Sequence, residues 1–311
     1  MAFSSAAIEP DNTNDVDWDD FLWKKESAPV LTFPVLNGDT LHIHQNLNGT
    51  QSEELGSADG LHTTVWEAAI AMYLYILREE SRHPKCWRGK RVLELGSGTG
   101  LVGLTLASLG AEVVLTELSS ALPLLSYNAQ INDFSSSSNG NCLNNNKNAN
   151  ANESEFQNNE DETSHPEFNN GSACKVCELE WGVPLSADMI SFIHGDGDGM
   201  KKFDIVVGAD IIYDEVLFEP LKSTLNQVCS VGTEVYLCRL QRGTDPSKSQ
   251  RFYDDLNHIG IDMKRILVGG GLSNDKTKNM IHDEEDDELF ADYRKLTDQK
   301  QSFELLRGCR I

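Results

Sequence analysis

The sequence predicts an α/β fold built on one mostly parallel sheet. Strand-like runs alternate with helical patterns from residue 64 to about residue 260, and that alternation specifies strand–helix–strand units. Residues 203–208, FDIVVG, are nearly all apolar, as expected of a central strand covered on both faces. The two closing strand patterns, residues 263–268 and 303–306, have no long helical pattern between them. That favours a last antiparallel pair at one edge of the sheet.

Taken in order, residues 1–29 are polar and acidic, with Trp18, Phe21 and Trp23 as isolated aromatics. They read as a mobile tail able to dock through those rings. Residues 30–45 hold two apolar runs around Asn37-Gly38, which predicts a hairpin. Residues 51–60 read as a loop. Thr64-Val-Trp-Glu67 fits a capping box, and Trp66, Ile70, Tyr73, Leu74 and Leu77 follow at helical spacing. Strands are then expected at 91–95, 112–116, 175–179, 203–208 and 234–238, and helices at 101–109, 120–132, 217–228 and 250–258. Two segments interrupt the pattern. Residues 135–172 are asparagine-rich and low in complexity; they carry too little apolar surface to offset their ordering entropy and are expected to be disordered. Residues 269–287 open on three glycines and end in acids, which predicts a loop.

The chain has 311 residues, and 49 acids against 26 bases give a net charge of −23. A chain this acidic repels phosphate backbones and anionic membranes, so neither nucleic acid nor membrane is an expected partner. The acidity is uneven. Residues 1–20 hold six acids and no base, residues 135–172 six acids and one base, and residues 283–292 seven acids and no base. The seven cysteines are scattered, which points to a reducing compartment. The N-terminus lacks the basic and apolar regions of a secretory signal. A cytoplasmic location is expected, with the nucleus left open.

Four motifs carry chemistry. The first is Glu94-Leu-Gly96-Ser97-Gly98-Thr-Gly100, lying between a strand and a helix. Glycines there let a ligand approach the backbone, beside the free amides of a helix N-terminus. The spacing is G-x-G-x-G, with the acid Glu94 just ahead of it. Such a turn suits the carboxylate, amine and ribose of S-adenosylmethionine; it also suits close packing alone. The second is Glu117, which closes the next strand 21 positions beyond Gly96, where an acid can accept from ribose hydroxyls. The third is Gly208-Ala209-Asp210-Ile-Ile-Tyr213, which follows the most apolar strand. Asp210 and Tyr213 emerge where parallel sheets bind ligands, and they could hold an amine nucleophile or merely cap a loop. The fourth is a pair of tryptophans, Trp66 and Trp181, at positions suited to a flat adenine or to the core. Cys174-x-x-Cys177 has metal-like spacing, but it sits on a strand that turns its two thiols to opposite faces, so no metal is expected.

The runs VWEAAIAMYLYIL, VLELGSGTGLVGL, VVLTEL, ELEWG and FDIVVGADIIYD occur in this order. Together they resemble the seven-β-strand protein-lysine methyltransferases of the methyltransferase-like family 21 group. The resemblance covers about residues 40–130 and 173–260. It implies a Rossmann-like, seven-stranded, mostly parallel sheet with a reversed last strand and helices on both faces, formed by one methyltransferase domain over residues 30–311. It implies S-adenosylmethionine as methyl donor and a lysine of a folded protein, such as a chaperone or translation factor, as acceptor. The enzyme is expected to act as a monomer. By the same resemblance Trp66, Gly96, Ser97, Gly98, Glu117, Trp181 and Ala209 contact the donor, and Glu94 joins them by its place in the glycine motif. Asp210 is expected to orient the acceptor amine and Tyr213 to shape its channel. Glu117 stands where the family more often has Asp. The competing readings are a methyltransferase for a small molecule or another side chain such as histidine, and a non-catalytic protein that keeps the fold.

Overall fold

The computed structural model describes residues 6–7, 21, 24–36, 38–46, 61–133, 174–187, 189–190, 203–241, 246–269 and 302–311. The expectations for residues 135–172, residues 51–60, Trp18, Trp23 and most of the acidic loop at 269–287 therefore lie outside the described residues.

The element order is β1 (Ala6–Ala7), β2 (Val30–Pro34), β3 (Thr40–His44), α1 (Glu67–Arg82), β4 (Arg91–Leu95), α2 (Leu101–Ser108), β5 (Glu112–Glu117), α3 (Leu122–Ile131), β6 (Cys174–Glu178), β7 (Ile205–Ala209), α4 (Phe218–Val228), β8 (Glu234–Gln241), α5 (Pro246–His258), β9 (Ile261–Gly269) and β10 (Ser302–Arg310). The main sheet has seven strands in the order β6-β5-β4-β7-β8-β10-β9. Strands β4 to β8 pair parallel, and β10 is antiparallel to both β8 and β9. The last pair occupies one edge as expected, but the final strand sits inside β9 rather than outside it. The order reverses between β4 and β7, and such a switch point opens a crevice at the carboxyl ends of the strands.

Strand alternation divides the core into two layers. Val92, Val113, Ile205 and Tyr236 face α1 and α2. Leu93, Val114, Val206 and Val235 face α4 and α5. Cys174 packs on the first face and Cys177 in the second, so the two thiols do point apart.

The hairpin of β2 and β3 forms, joined by a turn in which Val35 N–H donates to Asp39 O at 2.9 Å. Its outer edge is covered by a helix. On α3, the Asn128 side chain accepts from His44 N–H at 2.9 Å and donates to His44 O at 3.1 Å. One turn on, Asn132 accepts from His42 N–H at 2.9 Å and donates to His42 O at 2.8 Å. The i, i+4 spacing on the helix thus matches the i, i+2 spacing on the strand.

Two expectations are corrected. The helix α1 begins at Glu67, not Thr64, with Trp66 extended at the cap position and no side-chain cap. The cause is tertiary: Val65 N–H donates to Gln45 Oε1 at 2.7 Å, and Lys25 Nζ donates to Val65 O at 3.1 Å, which holds the chain extended. Glu67 pairs with Lys25 at 2.8 Å instead of closing a capping box. The folded body also starts before residue 30. Phe21, Lys25 and Ala28 are buried, and Phe21 meets Phe33 edge-on at 5.8 Å. The described residues 24–29 are part of the domain rather than a tail.

Candidate active site

The turn after β4 is closed onto β5. Ser97 N–H donates to Thr116 O at 2.9 Å, and Thr116 N–H donates to Ser97 Oγ at 3.0 Å. This forces Gly96 into the left-handed region at φ +62, which glycine alone enters without strain. A methyl group at Gly96 would lie 2.9 Å from Ile211 Cγ2 and 3.1 Å from Trp181 Cζ2. Ile211 and Trp181 can therefore pack against the turn only because residue 96 has no side chain.

Glu117 ends β5 with 5% of its surface exposed. Its Oε1 accepts from Gly98 N–H at 3.1 Å and meets His62 Nδ1 at 3.0 Å, while Oε2 accepts from Leu118 N–H at 2.7 Å. The carboxylate is held in place with lone pairs left on Oε2. Trp66 Nε1 donates to Leu61 O at 2.8 Å, which fixes the indole at the start of α1. On the opposite wall Gly182 N–H donates to Thr224 Oγ1 at 3.0 Å, holding the Trp181 loop against α4.

The third wall follows β7. Asp210 is buried, has φ +58, and its N–H donates to Cys238 O at 2.7 Å. A left-handed aspartate is uncommon and marks a position held by its surroundings. Tyr213, three residues on, is 48% exposed. Burial of the ring, then Asp214, Glu117 and Asp210, push its phenol above the usual range, so it keeps its proton at neutral pH.

These walls enclose a cavity of about 380 Å³, a size at which proteins hold cofactors. Trp66, Gly96, Gly98, Glu117, Trp181, Ala209, Asp210 and Tyr213 all line it. Two expected residues do not. Glu94 alternates with Leu93 and Leu95, so it points under α2, where its Oε2 accepts from Gly103 N–H at 3.0 Å. Burial there pushes its carboxyl up to about 8, against hydrogen bonds from Ser97 and Gly103 that act the other way. Ser97 turns its hydroxyl into β5. Both shape the turn from behind. His62 and Glu180 also line the cavity. His62 lies in no motif, and Glu180 sits unremarked beside Trp181 in ELEWG.

The sequence model of a family described as lysine methyltransferase matches residues 47–160 and 159–258. The chain belongs to that family. It is 31% identical over 191 residues to EEF1A lysine methyltransferase 3 of Mus musculus, covering 61% of this chain and 61% of that protein. It is 30% identical over 223 residues to protein N-lysine methyltransferase METTL21A of Mus musculus, covering 71% of this chain and 76% of that one. Among solved structures it is similar to T. thermophilus 16S rRNA methyltransferase RsmC in complex with AdoMet and guanosine, with TM-score 0.44, 15% identity, 91% of this chain and 50% of that chain. The family's reaction is methyl transfer from S-adenosylmethionine to a protein lysine, and this lysine methyltransferase has a cavity that fits the donor. The glycine turn with Gly96 and Gly98 on the cavity wall, the buried acid at Glu117 and the flanking indoles suit its backbone-contacting, ribose and apolar parts. Among the described residues no cluster of side chains is suited to a metal, and no helix is long and apolar enough to cross a membrane.

Proposed function

We propose that Trp66, Gly96, Gly98, Glu117, Trp181 and Ala209 hold S-adenosylmethionine, and that Asp210 and Tyr213 receive the acceptor lysine. The observation that carries this reading is the cavity itself, with donor-type residues along β4, β5 and β6 and the Asp210–Tyr213 wall along β7. When bound, the sulfonium supplies an already activated methyl group. The chain's own task is to align the amine and exclude water.

The acceptor sets the difficulty. A lysine side chain has a reference pKa near 10.4, so deprotonation at pH 7 costs roughly 4–5 kcal/mol in water. Entry into a half-enclosed cavity lowers that cost by desolvating the ammonium. The Asp210 carboxylate orients the amine by accepting one of its N–H bonds. The protonated Tyr213 phenol forms the outer wall. The released proton passes to water, because an aspartate is a weak base.

We infer further that the substrate is a folded protein met by the enzyme as a monomer in the cytoplasm. The six described cysteines are all free thiols, which supports a reducing compartment. The name of the relative EEF1A lysine methyltransferase 3 makes EEF1A the first acceptor to test. The experiment is incubation with methyl-labelled donor, purified EEF1A and, separately, cell lysate, followed by mapping of the label. Label on a lysine supports the reading. Label on histidine or a small molecule, or none at all, overturns it.

A further inference from the structure

The cavity is bordered by apolar side chains that stand in water. Leu61, Leu118 and Tyr213 line it and are exposed. Leu217 and Pro220 continue the wall beyond Tyr213. Val216, the neighbour of Leu217, is 78% exposed. Its turn is built rather than loose. Val216 N–H donates to Asp214 Oδ1 at 3.0 Å, and Leu217 N–H donates to Asp214 O at 3.1 Å. The next residue, Phe218, packs on Phe252 of α5 with ring centroids 4.9 Å apart. An exposed apolar patch with polar groups around it, at the mouth of a cavity, is the mark of a contact surface.

The charge around the patch has one sign. The segments that line the cavity are residues 61–66, 96–98, 117–118, 179–181 and 209–220. Together they hold six acids and no Lys or Arg. Glu117 and Asp210 are buried, whereas Glu180, Asp214 and Glu215 are exposed. Lys222, two residues beyond these segments, is paired with Glu219 at 2.6 Å. A partner of complementary charge is therefore basic.

We propose that the rim formed by Tyr213, Val216 and Leu118 docks a basic, apolar segment of a partner protein and selects the residues that flank the acceptor lysine. The inference rests on the reading of Asp210 and Tyr213 as the place of the acceptor. Lysine carries its amine on a four-carbon stem. With the amine at Asp210, the backbone of the acceptor segment lies over the rim. An apolar neighbour of the lysine then covers Val216 and the Tyr213 ring, and removal of that surface from water favours it over a polar one. Basic residues further out face Glu180, Asp214 and Glu215.

The test uses the full chain saturated with S-adenosylhomocysteine and four short fluorescent peptides, each with one central lysine. The lysine is flanked on both sides by Leu or by Ser, and the next position out on both sides is Arg or Glu. Binding is read by fluorescence polarisation. The Leu–Arg peptide is expected to bind at least tenfold tighter than the Ser–Glu peptide. Leu over Ser should contribute about fivefold, and Arg over Glu about threefold, shrinking as salt rises from about 50 to about 500 mM. Val216→Ser should remove most of the Leu preference, with the Arg preference and donor affinity unchanged. Val216→Ile should keep both preferences. If Val216→Ser fails to fold by melting temperature, Val216→Thr takes its place with the same readout. Equal binding of the four peptides, binding of none by a parent that binds S-adenosylmethionine, or an unchanged Leu preference in Val216→Ser overturns the proposal. A dimer of the full chain that Val216→Ser dissolves would show a second copy on the patch and overturn it as well. Failure of the folded parent to bind S-adenosylmethionine, or label on histidine in the lysate experiment above, sinks the reading of the site itself instead.

Discussion

At the scale of the residue, Asp210 joins two observations of different kinds. It lies on the cavity wall, and its backbone is held at φ +58. Aspartate and asparagine tolerate that region better than other side chains with a Cβ. Asp210→Asn therefore isolates the charge from the backbone strain that alanine would add. If the carboxylate orients the amine, Asp210→Asn should lower single-turnover rate on the order of a hundredfold and leave donor affinity within a few-fold. An unchanged rate with lowered melting temperature would make Asp210 a loop cap only. Gly96→Ala tests the donor side. It places a methyl group 2.9 Å from Ile211 and 3.1 Å from Trp181 at a positive φ, and it should cost donor affinity at least tenfold while the protein still melts cooperatively. Near-parent affinity in a folded Gly96→Ala protein would remove the turn from the site.

At the scale of the element, β4 carries a charge problem inside the sheet. Glu94 is 2% exposed, and burial raises its carboxyl from 4.5 to about 8. The folded chain holds a proton there that the unfolded chain releases above about 4.5. Stability from this group is thus complete at acid pH, falls as pH rises toward 8, and levels off beyond it. Glu94→Gln keeps an acceptor for Gly103 N–H and removes the titration. Its melting temperature should change less than the parent's between pH 5 and pH 8 and match or exceed the parent's at pH 8. A parent-like slope in that variant would place the titrating group elsewhere. The same strand shows what was legible in the sequence. Strand alternation and the glycine spacing located β4 and its turn, and, together with the family resemblance, named eight donor residues of which six line the cavity. Glu94 and Ser97 lie off the cavity wall because a motif fixes chain position but not the face to which each side chain turns. His62 was invisible because its contact with Glu117 spans 55 positions. The Lys25, Gln45 and Val65 contacts that delay α1 are equally non-local. So is the pair of Arg239 on β8 with Glu304 on β10 at 2.8 Å, joined by the Tyr253 hydroxyl, inside a reversed strand that reads as FELL.

At the scale of the whole molecule, the position of the asparagine-rich segment decides its weight. Its described ends are Asp133, just past α3, and Cys174, at the start of β6. Both lie toward the amino ends of the parallel strands, across the sheet from the cavity. Deleting residues 136–170 shortens a closure whose entropy depends only weakly on length. The variant should melt within a few degrees of the parent and bind S-adenosylmethionine with unchanged affinity. Loss of cooperative melting would show that the segment belongs to the core. The covering of β3 by α3 has a consequence for how this chain behaves among its own copies. An outermost strand offers a row of backbone groups on which any extended segment can grow as a new strand, the first step of amyloid-like stacking. Here Asn128 and Asn132 occupy the N–H and C=O of His44 and His42. Among the described residues the helix stands in for a neighbouring strand there, and two amide side chains occupy the backbone groups on which an added strand would have to pair.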